Sequence, residues 1–294
     1  MVQATLHYLK ALEIYETETP YFLNILNDDP AQQVLRTNLE YAPHDDISIE
    51  DIREKGGLDA FSIEENGFEV LKYTAKAAVD ENDAEVAAYC EEIVKLVSEK
   101  LNAVHTICYD YRIRRNKKGA VDYEKDQDQG RTIAAPPVYP AHIDHTVEGG
   151  PKRTRRHLTV DEAATYLSDN YRSRIINVWR PLSHPVEDCP LAICEARSVD
   201  AGDLVVADRV TPNFRVELYY LQHNPNQKWY WISRQSPDEL WLFTNYDSRC
   251  QKDGSRWGTC PHAAFINRDA KDHAPARSSI EVRLVVFNAV DGSS

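Results

Sequence analysis

Nowhere does the chain offer the run of about 18 apolar residues that a membrane-spanning helix requires. Its opening stretch, Met1 to Phe22, lacks a basic start and a continuous apolar core, so no secretion signal is read and a cytoplasmic location is expected. The six cysteines (Cys90, Cys108, Cys189, Cys194, Cys250 and Cys260) form no CxxC pair and no zinc-ligand spacing. Buried free thiols are therefore expected rather than a zinc module or a disulfide framework. Positive charge is also scarce. Against 47 Asp and Glu stand 34 Lys and Arg, a net charge of −13, which disfavours a nucleic-acid partner because such binding rests on cationic contacts to phosphate. The one dense basic cluster, Pro151-Lys-Arg-Thr-Arg-Arg-His157, reads as a solvated loop ahead of a helix start, with a local anion site as the weaker alternative. Internal repeats and low-complexity tracts are absent as well.

What is present suffices for one large domain or two small ones. The 294 residues are 42% hydrophobic, enough to bury a sizeable core, and 28% charged, enough to keep its surface solvated. Asp45-Asp46-Ile-Ser48-Ile-Glu-Asp51 predicts a capped helix start, with Ser48 as the cap. From Asp83 to Leu101, Val86, Tyr89, Cys90, Ile93, Val97 and Leu101 recur at helical spacing and predict an amphipathic helix. Val104 to Ile113 is rich in aromatic and β-branched residues and predicts a strand. Thr159-Val-Asp-Glu162 is a capping box opening a short helix through Leu167. Strands are then predicted over 174–180, 204–210, 214–222, 229–234, 240–245 and 279–287, with Asn224 to Gln227 as a hairpin turn. The expected fold is α+β: a double-stranded β-helix (jelly-roll) core over 104–294, preceded by a mainly helical part over 1–103 and flanked by helices, in a single domain spanning 1–294. An immunoglobulin-like sandwich fits less well, because the strands are unevenly spaced.

Chemistry concentrates at Pro140-Ala-His142-Ile-Asp144-His145-Thr146. Residues two apart in an extended segment share a side, so His142 and Asp144 converge while Ile143 and His145 face away. An imidazole beside a carboxylate is half of a facial metal site, and a second histidine would complete the set used by non-haem Fe(II) oxygenases. His-x-Asp alone is a weak signal. His262, in Thr259-Cys-Pro-His-Ala-Ala-Phe265, is the first choice for the third ligand, and His223 beside a turn is its rival. The other histidines read as structural or exposed. On the last predicted strand Arg277, Ser279, Glu281 and Arg283 share one face and Ile280, Val282 and Leu284 the other. The polar face is either the solvated side of an edge strand or the lining of a barrel interior, where an arginine fork would grip a carboxylate.

Together these pieces resemble the Fe(II)/2-oxoglutarate-dependent oxygenases, and within them the hydroxylase/desaturase family of fungal and bacterial secondary metabolism. Aspergillic-acid hydroxylase, gibberellin desaturase and a cephamycin-methoxylation component are members. The stretches that carry the resemblance are Ala4 to Leu9, Ser48 to Arg53, Ala141 to Thr146, Ile176-Asn-Val-Trp-Arg-Pro-Leu182 with Asp188 to Ala192, Glu239 to Ser248, Pro261 to Phe265 and Ser279 to Arg283, together spanning nearly the whole chain. The segment Asn177 to Leu182 is far more specific than His-x-Asp.

The resemblance implies an oxidoreductase using Fe(II), 2-oxoglutarate and O2, with ascorbate as a candidate stimulant. It implies His142, Asp144 and His262 as metal ligands, and Arg277 with Ser279 as the cosubstrate clamp. The gap from His262 to Arg277 is longer than usual, which the insertion Asn267 to His273 would absorb and which leaves Arg283 as a rival clamp. Asn177, Trp179 and Tyr246 are candidates for the substrate pocket, Trp179 reading also as a plain core aromatic, and Arg180 points the other way. No protein general base is assigned. The expected partner is a small-molecule secondary-metabolite intermediate, with neither nucleic acid nor membrane involved and a homodimer allowed. Hydroxylation, desaturation and ring formation all stay open. So do two other classes: a cupin-like dioxygenase or isomerase bearing the same triad without 2-oxoglutarate, and a non-catalytic small-molecule-binding barrel.

Overall fold

A computed structural model describes residues 1–24, 35–77, 79, 83–116, 134–249 and 258–290. The first element is a strand, β1 (Val2–Leu9), followed by β2 (Tyr21–Leu23) and β3 (Tyr41–Asp51). The helix expected to start at Ser48 is therefore the end of a strand. Ile47 and Ile49 alternate with Ser48 and Glu50, and Ile49 is buried beside Ala4 and Trp229. Ser48 caps nothing: its hydroxyl accepts a hydrogen bond from Gln3 Nε2 on the paired strand at 2.8 Å. After α1 (Ile63–Asn66) and β4 (Phe68–Lys72) comes α2 (Asp83–Lys100), the amphipathic helix read from the apolar spacing. The part expected to be mainly helical, 1–103, holds strands β1 to β4 beside its helices. Apart from α2, its longer described elements are strands that complete sheets built from later parts of the chain.

The central part holds β5 (His105–Arg115), β6 (His142–Ile143), α3 (Gly149–Arg156), α4 (Val160–Tyr166) and β7 (Tyr171–Pro181). Helix α4 opens with the expected Thr159/Glu162 capping box. The basic cluster, expected as a loop, is helix α3. Its long unbranched Lys and Arg side chains are good helix formers, and Thr146 Oγ1 accepts from Gly149 N at 2.8 Å to satisfy its first turn. The chain continues through β8 (Leu191–Cys194), β9 (Leu204–Val210), β10 (Arg215–Leu221), β11 (Trp229–Trp231), β12 (Glu239–Asp247), β13 (His262–Ala264) and β14 (Ser278–Ala289). Asn224 to Gln227 does turn, with Gln227 N donating to Asn224 O at 3.1 Å. The strands it joins, β10 and β11, are not neighbours, so it closes no hairpin.

Two sheets result. One has nine strands in the order β1-β3-β11-β8-β13-β6-β10-β9-β2, the other five in the order β4-β12-β7-β14-β5. Pairing is antiparallel except at β11–β3 and β2–β9. The smaller sheet has two unlike faces. Ile280, Val282, Leu284 and Val286 of β14, with Ile176 and Val178 of β7, pack against Val86, Tyr89, Ile93 and Val97 of α2. The opposite face carries Asn177, Trp179, Ser279 and Glu281, all buried, and turns toward the nine-stranded sheet. Of the two readings of the last strand, the interior one holds. Among the described cysteines all are free and only Cys108 is not fully buried; Cys250 lies outside the described residues. No described helix is long and apolar enough to cross a membrane.

Since α2 covers one face of the five-stranded sheet, its apolar side chains should hold much of the stability. Ile93, fully buried, is expected to cost about 2–5 kcal/mol when replaced by Ala, measured as a fall in the urea midpoint with an unchanged slope.

Candidate active site

His142 on β6 and His262 on β13 are direct cross-strand partners, so their rings emerge on the same face, with centroids 4.4 Å apart. Asp144 follows one residue after β6, and its backbone N–H is held by Asn245 Oδ1 at 3.1 Å. The ligand atoms of His142, Asp144 and His262 all lie within 4.8 Å of one another. The rival His223 instead stacks on His44 at 4.2 Å.

Both imidazoles are oriented by backbone carbonyls. His142 Nδ1 lies 2.8 Å from Pro140 O and His262 Nδ1 3.2 Å from Cys260 O. A carbonyl only accepts, so each Nδ1 carries its proton and each Nε2 presents a lone pair to the shared space. Burial, together with the neighbouring His262, pushes His142 down to about 4. Burial lowers His262 too. Burial would raise Asp144, but the Arg283 guanidinium and the two imidazoles hold it well below the usual carboxylate range. At neutral pH the site is two neutral imidazoles and one carboxylate, a proton-free set that fits a divalent transition metal.

The opposite sheet supports the carboxylate. Asn177 Nδ2 on β7 donates to Asp144 Oδ2 at 2.9 Å and to Glu281 Oε1 at 3.2 Å. Arg283 Nε lies 3.5 Å from the same Oδ2. These contacts hold Oδ2 and leave Oδ1, 3.7 Å from His142 Nε2, on the ligand side.

The model of the family described as "Oxidoreductase/YMDC permease-like domain" matches residues 6–287. The hydroxylase/desaturase efuI of Hormonema carpetanum is 30% identical over 255 residues, 82% of this chain and 83% of that one. The chain belongs to the Fe(II)/2-oxoglutarate-dependent hydroxylase/desaturase family. A second relative in it, the Fe(II)/2-oxoglutarate-dependent dioxygenase nvfI of Aspergillus novofumigatus, is 27% identical over 86% of each chain. The structure of the iron and alpha-ketoglutarate-dependent endoperoxidase NvfI superposes with a TM-score of 0.78 over 98% of both chains at 24% identity. That likeness confirms the jelly-roll fold.

In this oxygenase Arg283 of β14 and Arg277 just before it differ sharply. Arg283 is surrounded by carboxylates: besides Asp144, its Nη2 lies 2.7 Å from Glu281 Oε1 and its Nη1 3.2 Å from Asp110 Oδ2. Arg277 is 2% exposed. Its Nε donates to Ser279 Oγ at 3.0 Å and its Nη1 to Cys189 O at 3.1 Å, and it lies over the Trp179 ring at 4.9 Å. Among the described residues it forms no ion pair. The insertion ahead of it folds into turns at Asn267 and Lys271. The chain then returns with Arg277 N held by the Asp188 carboxylate at 3.0 Å.

Two clefts meet over Asp144. One, about 100 Å³, is lined by His142, Tyr139 and Tyr220; the other, about 670 Å³, by His145, Tyr109 and Phe214. They share Asp144, Arg209, Leu218 and Arg283. Asn177, Trp179 and Tyr246 line neither. Asn177 braces Asp144 from behind, Trp179 lies beneath Arg277, and Tyr246 is packed so closely that a Cβ on Gly150 would come within 2.2 Å of its ring. Arg180 faces away, as expected, donating to Tyr89 Oη at 2.8 Å. His145 was expected to face away from Asp144. The chain bends after β6, and His145 is buried in the larger cleft with Nε2 3.1 Å from Tyr109 Oη.

Sequence reasoning missed Asn245, Asp110 and Tyr109. A signal for the second was available: Asp110, Arg112 and Arg114 alternate along an otherwise aromatic strand, which marks a charged face turned inward.

Because Asn177 fixes the orientation of Asp144, Asn177→Ala is expected to weaken Mn(II) or Fe(II) binding by about 10–100-fold. Titration calorimetry would check this, with circular dichroism unchanged.

Proposed function

We propose that this chain is a non-haem Fe(II)/2-oxoglutarate-dependent oxygenase, a hydroxylase or desaturase, acting on a small-molecule intermediate of secondary metabolism. His142, Asp144 and His262 hold the metal, and Arg277 with Ser279 binds the far carboxylate of 2-oxoglutarate. The observation that carries this reading is the convergence of three proton-free donors within 4.8 Å. Just before β14 the chain supplies Arg277, a buried guanidinium without an ion-pair partner among the described residues. A buried charge left uncompensated is costly, and the cosubstrate carboxylate supplies the missing partner in bidentate geometry. Arg283 is the weaker clamp, since a carboxylate ligand would have to displace Asp110, Glu281 and Asp144 from it.

When bound, Fe(II) with 2-oxoglutarate and O2 supplies the oxidant that removes hydrogen from the substrate. The chain's own residues position and shield. Pro140 O and Cys260 O fix the imidazole tautomers, Asn177 and Arg283 fix the carboxylate, and Phe243, 4.8 Å from the His262 ring, keeps water from its flank. Relatives named as hydroxylase/desaturase enzymes from Aspergillus flavus and Penicillium oxalicum support the reaction class. Cytoplasmic operation without nucleic-acid or membrane partners belongs to the same reading.

Anaerobic Fe(II) plus 2-oxoglutarate is expected to give the wild type a visible charge-transfer band that His142→Ala and His262→Ala lose. In Arg277→Leu the half-saturating 2-oxoglutarate concentration should rise at least about 30-fold, as for loss of a buried charge partner. A full band in either histidine variant, or an unshifted titration in Arg277→Leu, removes the corresponding assignment.

A further inference from the structure

Among the described residues, arginine predominates in the lining of the larger cleft beside Asp144. Arg153 and Arg156 enter it from α3, and Arg112, Arg209 and Arg283 complete five arginines against two aspartates. Both aspartates are already engaged: Asp144 faces Arg283, and Asp110 lies 3.7 Å from Arg112 and 3.2 Å from Arg283. Among the described residues no ion pair or hydrogen bond reaches the guanidinium of Arg153 or Arg156. What they touch is aromatic. Arg153 lies 5.6 Å from the Tyr109 ring centroid and 5.9 Å from that of Phe214, and Arg156 lies 4.9 Å from Phe214.

This placement is imposed by packing. A Cβ on Gly149 would come within 3.0 Å of Glu217 O, and one on Gly150 would overlap Tyr246, so the two glycines let α3 seat tightly against β10 and β12. Residues three apart share a helix face, and α3 therefore turns both arginines into the cleft together. Burial, reinforced by the positive neighbours Arg156 and Arg283, pushes the Arg153 pKa below its ordinary value. Arg153 is half-buried and Arg156 exposed, so the pair stands at the cleft mouth, where an anion can accept charge-assisted hydrogen bonds from both.

We propose that Arg153 and Arg156 bind the anionic end, carboxylate or phosphate, of a substrate whose apolar body lies along Phe214 and Leu218 toward Asp144. Arg277 lines neither cleft, so this anion site is separate from the cosubstrate clamp. The assignment of the ligand as substrate rests on the oxygenase reading above; the binding of an apolar anion does not.

The test uses the fluorescent probe 8-anilinonaphthalene-1-sulfonate on the full chain, displaced by octanoate, octyl phosphate or 1-octanol. In the wild type either octyl anion should displace the probe at concentrations at least about tenfold below 1-octanol, the scale of one charge-assisted contact, and the better of the two identifies the headgroup. The double variant Arg153→Gln/Arg156→Gln should abolish that preference, while Arg155→Gln, on an exposed residue that lines neither of the two clefts, should keep it. Displacement by 1-octanol as effective as by the anions, or a preference that survives the double substitution, overturns the proposal. The Fe(II)/2-oxoglutarate band should be retained in the double variant. Its absence from the wild type would sink the oxygenase reading and leave the anion result standing.

Discussion

The contact between Asp144 and the Asn177–Arg283 pair spans the two sheets, and much else in the molecule follows from it. A carboxylate that points into the gap between two sheets needs an amide and a cation from the opposite side, because a buried charge without partners is not tolerated. Arg283 in turn draws in Glu281 and Asp110, whose carboxylates lie 2.7 and 3.2 Å from its guanidinium nitrogens. The inner face of the last strand is accordingly polar from Ser279 to Arg283. It becomes apolar at Val285 and Phe287, which pack with Ile175 and Tyr246 once the strand has passed the site. The other face of the same strand is apolar from Ile280 to Val286, and α2 covers it. One strand thus anchors the helix outside and the charge cluster inside.

What the sequence disclosed and what it hid divide along locality. The helix of Val86 to Val97 and the Thr159/Glu162 box are carried by residues three and four apart, and both were legible. The alternation of the last strand was legible too, as was the choice of His262, since an imidazole among apolar neighbours after Pro261 has few other uses. Ser48 misled because a serine three residues before an aspartate is a local cap pattern, while its actual partner, Gln3, lies on a strand 45 residues away. The hairpin at Asn224 failed for the same reason. The turn is real, but β6, β13 and β8 lie between the strands it joins, and no nearby residue reports that. His145 escaped because strand alternation was extended beyond the point where β6 ends. The bracing of Asp144 by Asn245 joins segments 101 residues apart and left no trace in spacing.

Arg277 and Arg283 show why position on a face does not fix a role. They sit on the same side of the same chain segment, six residues apart, and the sequence could not rank them. Their surroundings do. Arg283 meets three carboxylates and serves the architecture, whereas Arg277 meets a hydroxyl, a carbonyl and an indole ring. Those contacts orient a guanidinium without neutralising it, which is what supports the proposed role of Arg277 as the carboxylate clamp.

Surroundings likewise separate global from local charge. With a net charge of −13 the chain as a whole should repel an anionic small molecule. At physiological salt, however, the repulsion of distant surface carboxylates is screened beyond about 8 Å. Inside a cleft walled by protein the field is set by its lining, and apolar walls focus it. Arg153 and Arg156, which pair with no described carboxylate, therefore govern the last few ångströms of approach. An acidic exterior then restrains nonspecific association with polyanions such as nucleic acid, whereas a small anion that fits the cleft is exposed to the positive field at close range. The net charge and the cleft charge oppose each other in sign, and only the second acts at the distance where the substrate is chosen.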